Sequence, residues 1–188
     1  MAKRKHQSAY RKATDALEAE GRKQCFILYG AAGIALWRHY GKKQQAIMNL
    51  FDVTSAVWQD CAATNMHSMI EMCEEETGIE IQNGEDKSWR DLPYLNASLN
   101  QKHMSEAQWT YMRLQQIKWI APQVMTCIMI ALHRKYHFGF DRCGKFYSQV
   151  EEIKTEFGSD PDRIREECFK LTGIDVADST TKPRREDP

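Results

Sequence analysis

The sequence has no surplus of charge of either sign: 26 Lys and Arg stand against 26 Asp and Glu, for a formal net charge of zero. That balance removes the electrostatic case for a chain-wide nucleic-acid binder and for an acidic mimic of DNA, so any charged surface is local. Long apolar runs are missing too. The longest uncharged stretches, 24–37 and 119–133, hold 14 and 15 residues, against the ~20 needed to span a bilayer, and read as central helices of a core. None of the six cysteines forms a Cys-x-x-Cys pair, which excludes compact zinc and redox motifs; they read as buried free thiols in a reducing cytoplasm. There is no Gly-x-Gly-x-x-Gly, Walker loop or Gly-x-Ser-x-Gly. The basic start leads into acidic helix-forming sequence and not into an apolar core, so no secretory signal is expected. No stretch alternates apolar and polar residues as a half-buried strand would.

What is present is an internal echo. Ile34-Ala35-Leu36-Trp37-Arg38-His39-Tyr40-Gly41 is nearly repeated 96 positions later as Ile130-Ala131-Leu132-His133-Arg134-Lys135-Tyr136, followed by His137, Phe138 and Gly139. Thr77-Gly78-Ile79-Glu80-Ile81 trails the first stretch by 43 residues, and Thr172-Gly173-Ile174-Asp175-Val176 trails the second by 42. Matched anchors at matched spacing point to a duplicated chain. The expected fold is all-α, a tandem repeat of a three-helix unit: long helix, glycine turn, amphipathic helix, short glycine-capped helix. The expected boundaries are a first repeat over 1–81, a linker over 82–104, a second repeat over 105–177 and a disordered tail over 178–188, with the repeats favouring two lobes.

The helices follow from spacing and caps. Ser8 is a candidate N-cap for one long helix running to Tyr40, after a frayed basic start. Its Gly30-Ala31-Ala32-Gly33 segment costs about 1 kcal/mol per glycine, a loss that close approach of another backbone would offset, so two helices should cross there. Lys42 to Cys61 carries Ile47, Leu50, Phe51, Val57, Trp58 and Cys61 at helical spacing. Asn65 caps a third helix that Gly78 closes in a Schellman motif with Ile79. The 82–104 segment collects turn formers, but Trp89, Leu92, Tyr94 and Leu95 make it apolar enough to dock on one lobe. Ser105 and Gln108 form a capping box opening the second long helix, which Pro122 should kink near Trp119. His137 and Phe138 read as an insertion before Gly139. Asp160-Pro161 starts the last helix and Gly173 ends it.

Candidate chemistry is sparse. His133 and His137 lie four apart, a spacing that suits a metal on a helix face, but the helix is ending there and no metal is expected. Glu71, Glu74, Glu75 and Glu76 read as a solvated face. No cofactor and no catalytic residue is expected. Three basic clusters remain: an N-terminal arm with Lys3, Arg4 and Lys5; a first turn with Arg38, His39, Lys42 and Lys43; and a second turn with Arg134, Lys135, His137 and Arg142. Such patches neutralise phosphates in a salt-sensitive, sequence-tolerant way, so nucleic acid is a candidate partner. Nine methionines and five tryptophans supply adaptable and anchoring contacts for a protein partner, with Trp89 and Trp109 as candidate anchors.

On Ile130 to Phe140 and Lys170 to Val176, with a looser echo at Ile34 to Gly41 and Thr77 to Ile81, the chain resembles small helical proteins of phages and prophages of Firmicutes. The resemblance covers most of the chain but carries no functional residue. It implies a non-enzymatic protein of the host bacterial cytoplasm, in a class that includes inhibitors of host defence nucleases such as the anti-CRISPR proteins. The partner it implies is a Cas nuclease, blocked by protein–protein contact. The alternative is a nucleic-acid-binding regulator using the basic turns.

Overall fold

The computed structural model describes residues 2–62, 66–79 and 105–179. It is all-helical, with no strand among the described residues: α1 (Ala2–Tyr40), α2 (Gln44–Ala62), α3 (Met66–Thr77), α4 (Glu106–Tyr136), α5 (Phe140–Glu156), α6 (Pro161–Thr172) and the single turn α7 (Val176–Ser179). Asn65, the 82–104 segment and residues 180–188 lie outside the described residues.

The core is an α1–α4 pair. Would-be side-chain atoms at Gly21 face Ile120, Tyr29 lies beside Cys127, and the Tyr40 and Phe138 rings meet at 5.1 Å, so the two long helices run side by side in the same direction. Their apolar middles are fully enclosed: Ala31, Ala32, Ile34, Ala35 and Leu36 on one, Cys127 to Leu132 on the other. The short helices then cross over. α2 and α3 pack mainly on α4, and α5 and α6 pack mainly on α1, so the halves interlock and do not stand apart as two lobes.

The Gly30–Gly33 segment is a crossing point, and its partner is α6. A Cβ at Gly30 would fall 2.6 Å from Ile164 Cγ2, and one at Gly33 would fall 2.9 Å from Cys168 Sγ. Only glycine allows this approach.

Caps set the other boundaries. Ser105 accepts from the Gln108 N–H at 3.3 Å while Gln108 Oε1 accepts from the Ser105 N–H at 2.8 Å, the reciprocal box expected. Asp160 accepts from the N–H groups of Asp162 and Arg163, with Pro161 in the first turn.

Several expectations need correction. α1 begins at Ala2, so Ser8 lies inside the helix and not at its N-cap position. Apart from these corrections, α4 carries Pro122 inside a continuous helix, with the Thr126 hydroxyl donating to the Pro122 carbonyl at 2.8 Å. His137 and Phe138 are no insertion: His137 takes the left-handed conformation (φ 54°) that Gly41 takes (φ 59°), and Phe138 bonds back to Leu132 O as Lys42 does to Leu36 O. The 96-residue register therefore continues through the turn, and Gly139 is the N-cap of α5.

The Thr-Gly-Ile signatures close α3 and α6 without a Schellman bond. Gly78 and Gly173 bond four residues back, the simpler left-handed cap, and the following N–H goes to a side chain. Thr77 Oγ1 donates to Cys73 O at 2.6 Å and accepts from Ile79 N–H at 3.2 Å; Thr172 does the same between Cys168 O (2.7 Å) and Ile174 N–H (3.1 Å). Trp58, placed in the apolar stripe of α2 by spacing, stands at the surface, and Thr54 fills that stripe with its hydroxyl bonded to Leu50 O.

Candidate binding surface

The shared direction of α1 and α4 brings their C-terminal turns to one end of the bundle. Two clusters 96 residues apart in sequence thus become one surface. Tyr40, Tyr136 and Phe138 form a small aromatic nucleus there, with Phe138 buried and 6.4 Å from Tyr136. Lys42 Nζ sits 4.4 Å from the centre of the Tyr136 ring and Arg142 lies 4.1 Å from that of Phe138, cation–π contacts that fix two cations over the nucleus. The Tyr136 hydroxyl donates to Ala46 O, tying α4 to α2. Burial pushes the Tyr40 and Tyr136 hydroxyls above their usual range, so both stay neutral donors.

Two of the arginines singled out by sequence, Arg38 and Arg134, are engaged internally. Arg38 pairs with Glu156 at 2.7 Å and with Glu167 at 3.3 Å, joining α1 to α5 and α6. Arg134 grips Glu76 with two nitrogens (3.1 and 2.7 Å) and touches Met72, joining α4 to α3. His39, Lys43, Lys135, His137 and Arg142 are exposed, and Lys42 is half-buried. Lys3, Arg4 and Lys5 lie in the first turn of α1, about 50 Å along the helix from these turns at 1.5 Å per residue, and so do not join them. Trp89 lies outside the described residues, and Trp109 is placed only as part of α4.

The histidine pair does not form the helical face that metal binding needs. His133 Nδ1 lies 2.8 Å from Phe138 O and holds the turn, while His137 has left the helix in a left-handed conformation. Among the described residues no group of three or more His, Cys, Asp or Glu converges on a point where a metal would sit.

An open groove of about 690 Å³ runs beside the basic end. His39 contributes from α1, and Phe140, Asp141, Gly144, Lys145, Ser148, Gln149 and Glu152 contribute from α5. Sequence reasoning missed this groove. Its only signal is the run of small and polar residues on the outer face of α5. The groove mixes charges, and the Ser148 hydroxyl within it donates to Gly144 O at 3.2 Å. The nearby Cys143 thiol is pushed up to about 11 by burial, as Cys25 and Cys168 are, and Cys73 is pushed to about 12. Thiols so raised are small hydrophobes at neutral pH, not nucleophiles.

Large apolar side chains also reach the surface: Trp37, Met48, Trp58, Phe140 and Phe169, with Tyr111 and Leu114 on the N-terminal part of α4. No helix among the described residues is long and apolar enough to cross a membrane. Compared with protein-family models, curated proteins and solved structures, the chain matches none.

Proposed function

We propose that this chain is a duplicated, non-enzymatic binding protein of phage type, which blocks a host defence nuclease in the bacterial cytoplasm by protein–protein contact. The partner that fits the resemblance is a Cas nuclease. The observation that carries the reading is the set of large side chains left standing on an interlocked scaffold: Trp37 and Trp58 more than a third exposed, Phe140 and Phe169 more than half. Aromatic side chains on rigid helices are the usual anchors of protein interfaces, because they bury large area at little cost in conformational entropy. The matched turns, matched threonine caps and continuous 96-residue register support duplication of the unit.

The test is binding of the purified chain to a guide-loaded Cas9 at low and at physiological salt, read together with target cleavage. Salt-resistant binding with loss of cleavage, weakened at least tenfold in Trp58→Ala or Phe140→Ala, is the expected result. Absence of binding, or binding that leaves cleavage intact, contradicts it.

A further inference from the structure

The basic end of the bundle is a surface that neither half of the sequence contains alone. We infer that it is a contact face for duplex nucleic acid, engaging phosphates from both backbones without reading bases. This goes beyond the nuclease-blocking reading and does not depend on it.

Four observations lead there. The parallel long helices deliver His39, Lys42 and Lys43 from one half, and Lys135, His137 and Arg142 from the other, around one aromatic nucleus. Within a chain of zero net charge, this is a local concentration of cations. Of the acidic side chains that reach these turns, Glu76, Glu156 and Glu167 neutralise Arg134 and Arg38, while Asp141 and Glu152 line the groove beside His39.

The backbone there is matched across the two halves, with left-handed residues at Gly41 and His137 and helices starting at Gln44 and Phe140. Duplex DNA carries its own local twofold symmetry, so a face built from two matched turns meets two backbones in similar ways. The cations differ in kind between the halves, and the amides beside them are engaged within the chain, Gln44 donating to Gly173 O at 3.3 Å and Gln45 to Asn49 Oδ1 at 3.0 Å. Phosphate contact of this type is salt-sensitive and sequence-tolerant.

The experiment is titration of the full chain into a fluorescent duplex of mixed sequence, across a range of salt, with polyglutamate as a second anionic probe. With three to four phosphates neutralised, the association constant falls about 40- to 150-fold between 50 and 200 mM salt. Lys43→Glu combined with Lys135→Glu, two exposed positions whose replacement should leave thermal unfolding unchanged, reduces the slope of log K against log salt by about 2. Lys12→Glu with Lys23→Glu, the same change of charge upstream on α1, leaves duplex binding as in wild type. No duplex binding at 50 mM salt overturns the inference, as does equal weakening by the two double variants. Binding to polyglutamate with the duplex ignored also overturns it and assigns the face to an acidic protein.

Discussion

The crossing of α6 over α1 and the packing of α3 on α4 occupy matched places, yet they are built in opposite ways. In α1, Gly30 and Gly33 leave room for Ile164 and Cys168 to press against the helix backbone. In α4, the residues 96 positions later are Thr126 and Met129, both fully buried, and the neighbouring Cys127 Sγ meets Met69 Sδ at 3.2 Å. One crossing is made by removing side chains and the other by filling with them. The same arrangement of helices therefore tolerates two different packing solutions, each of which is intolerant of the other's residues.

Exchanging residues between the two crossings is the sharpest way to break this comparison. Met129→Gly removes a fully buried side chain and adds a helical glycine, and should cost about 3–5 kcal/mol in chemical denaturation. A smaller loss would mean that α3 collapses onto α4 and that the crossings are interchangeable. Gly30→Ala comes next, since its Cβ would lie 2.6 Å from Ile164 Cγ2. Overpacking costs about 1–3 kcal/mol and outweighs the gain of about 1 kcal/mol in helix propensity. Gly21→Ala is the control of opposite sign. Its Cβ would meet Ile120 Cδ1 at 4.0 Å, an ordinary contact, so it should stabilise by up to about 1 kcal/mol.

The caps sharpen the comparison, because there the two halves agree. Thr172→Val and Thr77→Val each leave an N–H without its acceptor, and each should cost roughly 1–2 kcal/mol, equal within error. A marked inequality between the two would show that the matched geometry conceals different energetics.

The smallest expected effect is at the Arg165–Asp175 pair, which the other half lacks. Hydrogen bonding from Arg165, and then from the Ala177 N–H, holds the Asp175 carboxyl below its usual range. The contribution is thus fully present above about pH 4, the ordinary value of a free carboxyl, and is lost as pH falls through the lowered folded-state value. The pair is partly exposed, so the difference in thermal midpoint between wild type and Asp175→Asn should be small at pH 7 and shrink as pH falls below the ordinary carboxylate range.

Much of the helical content was legible because it is written locally. The Ser105 box, the Asp160-Pro161 start and the Gly173 end each bond within a few residues of themselves. The crossing at Gly30–Gly33 was legible as an energetic anomaly, a pair of helical glycines that only close packing would compensate. Its partner was not, because nothing near Gly30 names Ile164, some 130 residues away. Spacing also placed Trp58 inside, whereas a buried Thr54 bonded to its own helix takes that face. At the candidate surface, the basic residues were found singly. Their convergence depends on the parallel run of α1 and α4, and the engagement of Arg38 and Arg134 depends on carboxylates contributed by the other half.

The interlocking of the halves is tested most directly by nuclear Overhauser contacts of the Ile164 methyl groups in the full-length chain. The account predicts contacts to the Hα protons of Gly30, across the halves. Contacts from Ile164 to Thr126 and Met129 instead, within its own half, would contradict it and return the molecule to two separate lobes.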